Sequence, residues 1–193
     1  MLRWGFVSKF LSISMVVVSL AACGSMSVLR PSLNNVSELG LLPPESLNRN
    51  IGMIQKIHVR TLGDEFHYES VVEITNDRIH MLLLQPWGQR IATLTYNSGE
   101  FTLVRASGAS TKLPFRRMLS TMQMIFWPGE AIMARQGESS WFVIDSENMR
   151  EIYRNQQLVG IAEYDQRKTW PSNVIYWDIT YNYQITISSV LLD

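Results

Sequence analysis

Hydrophobic and polar residues alternate along most of the chain after residue 50, and a period of two is typical of β-strands. Turn-forming residues at 63–64, 76–77, 86–88 and 97–99 interrupt this alternation. The pattern therefore predicts five antiparallel strands joined by short turns. Their segments are 51–62, 66–75, 78–84, 89–97 and 100–106.

The turns also predict which residues lie opposite each other in neighbouring strands. Two-residue loops at the first two turns pair Val59 with Tyr68 and Val72 with Met81. In this register, one face of the sheet is apolar and the other face is polar.

All three histidines of the chain lie on the polar face in this register, among acidic residues. Both a zinc or copper site and a solvated, charge-paired surface fit such a set of side chains. We expect the charge-paired surface, and we assign no metal ligand and no cofactor. The expected cross-strand pairs are His58 with Glu69, Arg60 with His67, and Glu73 with His80.

Apolar residues recur at spacings of three and four in one segment, which predicts an amphipathic helix between Pro114 and Pro128. A second short helix is predicted from Glu130 to Arg135. The apolar face of the first helix comprises Phe115, Met118, Leu119, Met122, Ile125 and Phe126, and its polar face comprises Arg116, Arg117, Ser120 and Gln123.

The carboxyl-terminal part of the chain returns to the strand pattern. Its last segment is either one long strand or a hairpin, and we favour the hairpin because strands rarely exceed about ten residues. A three-residue loop at 181–183 pairs Trp177 with Ile187 and Ile179 with Ile185, so these side chains share a face. The strand segments are 141–145, 149–155, 157–164 and 175–188.

Together these elements predict a mainly β fold of the α+β class. We expect a single curved antiparallel sheet of about eight to eleven strands that forms an unclosed half-barrel, with one or two helices covering its apolar concave face. The helix and the terminal hairpin carry the densest apolar stripes, so we expect Met118, Met122, Trp177 and Ile185 to contact an apolar ligand there. Ordinary core packing is the alternative explanation of these residues.

Trp87 lies at the tip of the connection between the third and fourth predicted strands. An indole has an apolar body and one polar edge, which suits a membrane interface. We therefore predict a membrane contact at Trp87, with a lid over the barrel mouth as the alternative.

Composition and charge narrow the range of functions. The chain has 17 Lys and Arg against 17 Asp and Glu, a balance that argues against nucleic-acid binding. Its single cysteine excludes an internal disulfide and a multi-thiolate metal site. The sequence contains no nucleophile elbow and no phosphate-binding loop, so we expect no enzyme activity and assign no catalytic residue.

The amino-terminal segment has the pattern of a secretory signal peptide, since Arg3 and Lys9 precede an apolar run over 10–20 that is too short to span a bilayer. The run ends in Leu20-Ala21-Ala22-Cys23, which resembles the lipobox of bacterial lipoproteins. This resemblance implies cleavage before Cys23, diacylglycerol on its sulfur and an acyl chain such as palmitate on its amino group. An ordinary signal peptide with an incidental cysteine is the alternative.

Gly24 follows the lipobox cysteine. In lipoproteins of enteric bacteria, glycine rather than aspartate at this place implies export to the outer membrane, so the expected location is its periplasmic face. The expected organisation is a cleaved signal peptide over 1–22, a lipidated amino terminus and tether over 23–50, and a half-barrel domain over 51–193.

Over residues 40–190 the chain resembles a family of bacterial lipoproteins of unassigned function that are often encoded within aryl-polyene biosynthesis clusters. That family is similar in architecture to LolA and LolB. Besides the lipobox, the resemblance is carried by Leu82-Leu83-Leu84-Gln85-Pro86-Trp87-Gly88-Gln89-Arg90, by the helix between Leu113-Pro114 and Trp127-Pro128, and by Tyr183-Gln184-Ile185-Thr186-Ile187.

The resemblance implies a non-enzymatic lipoprotein that binds a lipidic or polyene-acyl group in an apolar cavity and aids its placement in the outer membrane. It also implies a LolA-like carrier as a partner, and it adds no catalytic residue. The alternative function is a structural adaptor in a cell-envelope complex, whose cavity is filled by its own side chains. An envelope hydrolase is a third hypothesis.

Overall fold

A computed structural model describes residues 40–97, 99–107, 113–134, 140–167 and 170–192. All of them belong to the second of the two units of the chain, residues 37–193. The predicted signal peptide, Cys23, Gly24 and most of the predicted tether lie outside the described residues, as does Arg135.

The described strands form one antiparallel sheet in the order β5-β4-β3-β2-β1-β10-β9-β8-β7-β6. The two edge strands, β5 and β6, do not pair with each other, so the half-barrel is unclosed, as predicted. The strands are β1 (Ile51–Arg60), β2 (Glu65–Ile74), β3 (Arg78–Leu84), β4 (Arg90–Asn97), β5 (Glu100–Arg105), β6 (Trp141–Asp145), β7 (Met149–Arg154), β8 (Gln157–Tyr164), β9 (Asn173–Asp178) and β10 (Tyr183–Leu192).

The predicted register is confirmed between β2 and β3, where Val72 lies opposite Met81. Between β1 and β2 the predicted register is wrong, because Val59 lies opposite Phe66 rather than Tyr68. The turn residues are 62–63 instead of the predicted 63–64, because Thr61 and Asp64 face each other and are joined by a backbone hydrogen bond. Its shape is held by Thr61, whose hydroxyl accepts the backbone N–H of Asp64 at 3.0 Å and whose N–H bonds to the Asp64 carbonyl at 2.9 Å.

The carboxyl-terminal segment is a hairpin, as predicted, but the predicted register of its two strands is wrong by three residues. Four residues, 179–182, connect β9 to β10, and Ile185 pairs with Tyr176. The carboxylate of Asp178 accepts the backbone N–H of Tyr181 at 2.8 Å, which fixes this longer turn. An odd shift moves a side chain to the other face, so Trp177 lies on the face opposite to Ile185.

The inner face of the sheet carries the hydrophobic core, and the helix α1 (Phe115–Phe126) covers it, followed by the shorter α2 (Gly129–Met133). The apolar stripe of α1 was predicted correctly, since Leu119 and Ile125 are almost completely buried. The inner side chains of the sheet that are fully or almost fully buried include Met53, Val72, Ile74, Ile79, Leu83 and Leu94.

Three of the four residues on the predicted polar face of α1 are buried as well, namely Arg117, Ser120 and Gln123, and only Arg116 is exposed. Gln123 is completely buried, and its side-chain amide accepts the N–H of Leu42 and donates to the carbonyl of Leu42, both at 2.8 Å. Leu41, Leu42 and Leu47 belong to the core, and Pro44–Leu47 forms a short 3-10 helix. The last residues of the predicted tether therefore pack with the sheet and α1.

Candidate functional site

Three neighbouring strands place apolar side chains side by side on the inner face. Val59 of β1 pairs with Ile185 of β10 and with Phe66 of β2. Paired strands are about 4.8 Å apart, so these side chains form a continuous row. Phe66 is 40% exposed, while Val59 and Ile185 are partly buried. We call Ile185, Val59 and Phe66 the inner strip.

A buried polar row crosses the inner face two rows away from the inner strip, beyond the buried side chains of Tyr68 and Ile187. Gln55 is 1% exposed, and its side-chain amide donates to the Ser189 hydroxyl at 3.2 Å and accepts from the Ser70 hydroxyl at 3.4 Å. On the far side of this row, Met53 and Val72 are completely buried. Met53 and Val72 are therefore sealed from solvent, whereas the inner strip is accessible.

The structure brings three of the four predicted ligand contacts to the inner side of the sheet. Met122 is part of the core, and Met118 and Ile185 pack against it while remaining partly exposed. Trp177 lies on the outer face, where it pairs with Gln184 and Ile161, so its predicted pairing with Ile187 on the face of Ile185 is wrong.

Sequence reasoning missed Val59 and Phe66 as site residues. Both have the inner-face parity, but the predicted register paired Val59 with Tyr68 and left Phe66 without a role. The signal that could have found them is their parity, because Val59 and Phe66 fall on the apolar face whichever two-residue turn joins the two strands.

A buried ion pair lies next to the inner strip, at the first turn of α1. Arg117 donates to Asp178 at 3.0 Å, and its guanidinium lies 3.2 Å from the centre of the Tyr181 ring. Burial acts to lower the pKa of Arg117, but the neighbouring Tyr183 and Asp178 outweigh it and hold that pKa above its ordinary value. Burial also raises the pKa of Tyr183 to about 12. Arg117 therefore stays a cation near pH 7, and the Tyr183 hydroxyl stays protonated.

A cavity of about 310 Å³ lies at the carboxyl-terminal end of α1. Three charged residues that line it are paired with one another, since Asp145 contacts Arg150 at 2.7 Å and Arg167 at 3.0 Å. The Tyr164 hydroxyl donates to the carbonyl of Ile125 at 2.7 Å. Because these polar groups are committed within the protein, we assign them to holding α1 in place.

Trp87 is 73% exposed in the turn between β3 and β4. The turn contains Gly88 at a φ of 84°, and the Trp87 indole N–H donates to the Gln89 side chain at 3.3 Å. So exposed a ring does not cover the barrel mouth. Among the helices of the described residues, none has the length and apolar character needed to cross a membrane.

Several solved structures resemble this chain, and three of them are as follows. A LolA superfamily protein from Nitrosomonas europaea has 11% identity and a TM-score of 0.43, covering 77% of this chain and 88% of its own. A putative outer membrane lipoprotein-sorting protein domain from Vibrio parahaemolyticus has 7% identity and a TM-score of 0.37, with coverages of 72% and 85%. The MucA/MucB complex of Pseudomonas aeruginosa has 13% identity and a TM-score of 0.38, and the match covers 76% of this chain and 54% of the other.

A comparison of the sequence with curated proteins found no match. A family model described as "Protein of unknown function (DUF3261)" matches residues 52–191. This span contains both helices and nearly the whole of the sheet. The chain therefore belongs to the DUF3261 family.

Proposed function

We propose that this protein is an outer-membrane lipoprotein that binds a lipidic or polyene-acyl group on the inner strip and aids its placement in the outer membrane. The observation that supports this function best is an apolar row, on the inner face of an unclosed sheet, that is left partly exposed. Exposed apolar surface costs about 25 cal/mol per Å² in water, and an acyl chain lying along the row removes that cost.

The chemistry of the site favours an apolar chain over a polar ligand. The inner strip carries no polar side chain, and the nearby Arg117 and Asp178 are already paired with each other. Met118 borders the core with a flexible, unbranched side chain that adapts to irregular apolar shapes. We propose binding without catalysis, with a LolA-like carrier as the donor of the ligand.

Binding of a fluorescent fatty acid to residues 37–193, the unit that contains the sheet and its core, tests this function. We expect a saturable signal with one probe per chain, displaced by unlabelled fatty acid. A structural adaptor that fills its own cavity gives no saturable signal, and that result would contradict the proposal.

Lipid anchoring at Cys23 is part of the proposal, and it predicts how the full chain is sorted in an enteric host. Cys23→Ser removes the sulfur that takes the diacylglycerol, so we expect an uncleaved protein that incorporates no palmitate. Gly24→Asp should keep the mature lipoprotein in the inner membrane. Palmitate labelling and membrane fractionation measure both effects. Label on the Cys23→Ser protein would rule out the anchor.

Trp87 is the proposed membrane contact during delivery of the ligand. Trp87→Glu replaces an exposed indole with a charge, so we expect intact folding and probe binding but at least tenfold slower transfer of probe to phosphatidylethanolamine–phosphatidylglycerol vesicles. The matched control is Leu62→Glu, because Leu62 is 88% exposed in another loop. Equal transfer rates for the two variants would contradict a specific role of Trp87.

A further inference from the structure

The observed register places two of the three histidines opposite each other on the outer face. His58 of β1 pairs with His67 of β2. Their rings are stacked, with centroids 4.2 Å apart and planes inclined by 9°. The predicted register had separated these residues and paired each with a charged neighbour instead.

Glu65 completes the cluster from the start of β2. Its Oε2 lies 3.4 Å from His58 Nε2, and its Oε1 accepts a hydrogen bond from Arg60 at 2.9 Å. His58 Nε2 is shielded from solvent and has no hydrogen-bond partner among the described residues. A buried nitrogen in this state, facing a carboxylate, is suited to accept a cation between the two groups.

Distances within the cluster suit a single metal ion. One ligand atom from each of His58, Glu65 and His67 lies within 4.8 Å of the other two. Zinc bonds of about 2.0–2.2 Å place tetrahedral ligand atoms roughly 3.3–3.5 Å apart. Small side-chain rotations on this partly solvated face therefore bring the three ligands together.

We propose that His58, His67 and Glu65 bind a divalent transition-metal ion of the zinc type. Two imidazoles and one carboxylate are ligands that such ions prefer, and three protein ligands leave a coordination position for water. Arg60 holds the carboxylate from its other oxygen and so fixes the orientation of the ligand. The ion braces the hairpin that carries Val59 and Phe66 on its inner face, although the site itself does not depend on lipid binding.

His80 provides a matched control on the same face of the sheet. It lies on β3, its Nδ1 is 3.1 Å from the Thr95 hydroxyl, and it is not part of the cluster. A loss of zinc binding that is confined to His58 and His67 therefore separates this site from general histidine affinity.

Calorimetric titration of the purified full chain with Zn²⁺ tests the site. We expect one zinc ion per chain in the wild type and in His80→Ala, and at least tenfold weaker binding in His58→Ala and in His67→Ala. No binding by the wild type, or equal affinity in all four proteins, would overturn the proposal. X-ray absorption of the zinc-loaded wild type is a test without mutation, in which two imidazole ligands are expected and a shell of oxygen atoms alone would contradict the site.

Discussion

Replacement of Arg150 by methionine is expected to lower the free energy of unfolding by about 3–5 kcal/mol, because it removes the hydrogen bonds that a buried guanidinium makes to three main-chain carbonyls and to a carboxylate. The Arg150 side chain is 3% exposed. It makes two hydrogen bonds to Asp145, at 2.7 and 2.9 Å. It also donates to three main-chain carbonyls at the end of α1, those of Met124, Ile125 and Trp127, at 2.9, 3.2 and 2.7 Å.

The loss has a clear physical origin. Carbonyls at the carboxyl-terminal end of a helix have no partner within the helix. A cation there also interacts favourably with the negative end of the helix dipole. Methionine preserves much of the side-chain volume, so the change removes mainly the hydrogen bonds and the charge. Urea unfolding followed by circular dichroism measures the effect. The control is Arg154→Met on the same strand, where the side chain is only partly buried, and equal losses in the two variants would contradict the assignment.

This ion pair also predicts a dependence on pH. Burial acts to raise the pKa of Asp145, but hydrogen bonds from Arg150 and Arg167 outweigh it and hold that pKa below its ordinary value of 3.8. A lowered carboxyl pKa contributes stability that is present above the ordinary value and is lost as the pH falls through the lowered one. The difference between wild type and Arg150→Met should therefore shrink below about pH 4.

Charge on the inner strip is expected to weaken acyl binding at least tenfold. Phe66→Glu places a carboxylate where the acyl chain lies, and covering an unpaired charge with apolar groups costs several kcal/mol. Phe66 is 40% exposed, so the folded state tolerates the change. Met122 is a poorer choice, because its side chain is buried and a charge there would unfold the core.

Ile54→Glu is the matched control for the inner strip. Ile54 lies on the outer face of β1 and is 41% exposed, almost the same as Phe66. Fluorescence titration with the fatty-acid probe should give the wild-type affinity for Ile54→Glu and a large loss for Phe66→Glu. If both variants bind like the wild type, the ligand lies elsewhere.

The strand register could be predicted from the sequence where the strongest turn formers occupy the turn. Asn76 and Asp77 form a two-residue turn, so the register of β2 and β3 followed from counting. The sequence was insufficient where the turn lies at other residues than the strongest turn formers suggest. The β1–β2 turn lies one residue earlier than predicted, at 62–63, and the β9–β10 turn has four residues, with the Asp178 carboxylate accepting the N–H of Tyr181. The register error of two residues between β1 and β2 kept every side chain on its predicted face. The register error of three residues between β9 and β10 moved Trp177 to the opposite face.

The helix α1 shows a second limit. Its apolar stripe follows from spacing, but Gln123 reads as an exposed polar residue until its partner Leu42 is known, and that partner is 81 residues away. The pairing of Arg150 with the end of α1 is long-range in the same way. For the candidate site, Met118, Met122 and Ile185 followed from the apolar pattern, while Val59 and Phe66 required the observed register.

The central claim is that an acyl ligand lies on the inner strip, and photo-crosslinking of the unit 37–193 with a diazirine fatty acid tests it most directly. Mass spectrometry of the digested protein locates the adducts without any mutation. We expect adducts on peptides that contain Val59, Phe66 and Ile185. Adducts confined to the outer face, where Ile54 is 41% and Val190 is 68% exposed, would contradict the account.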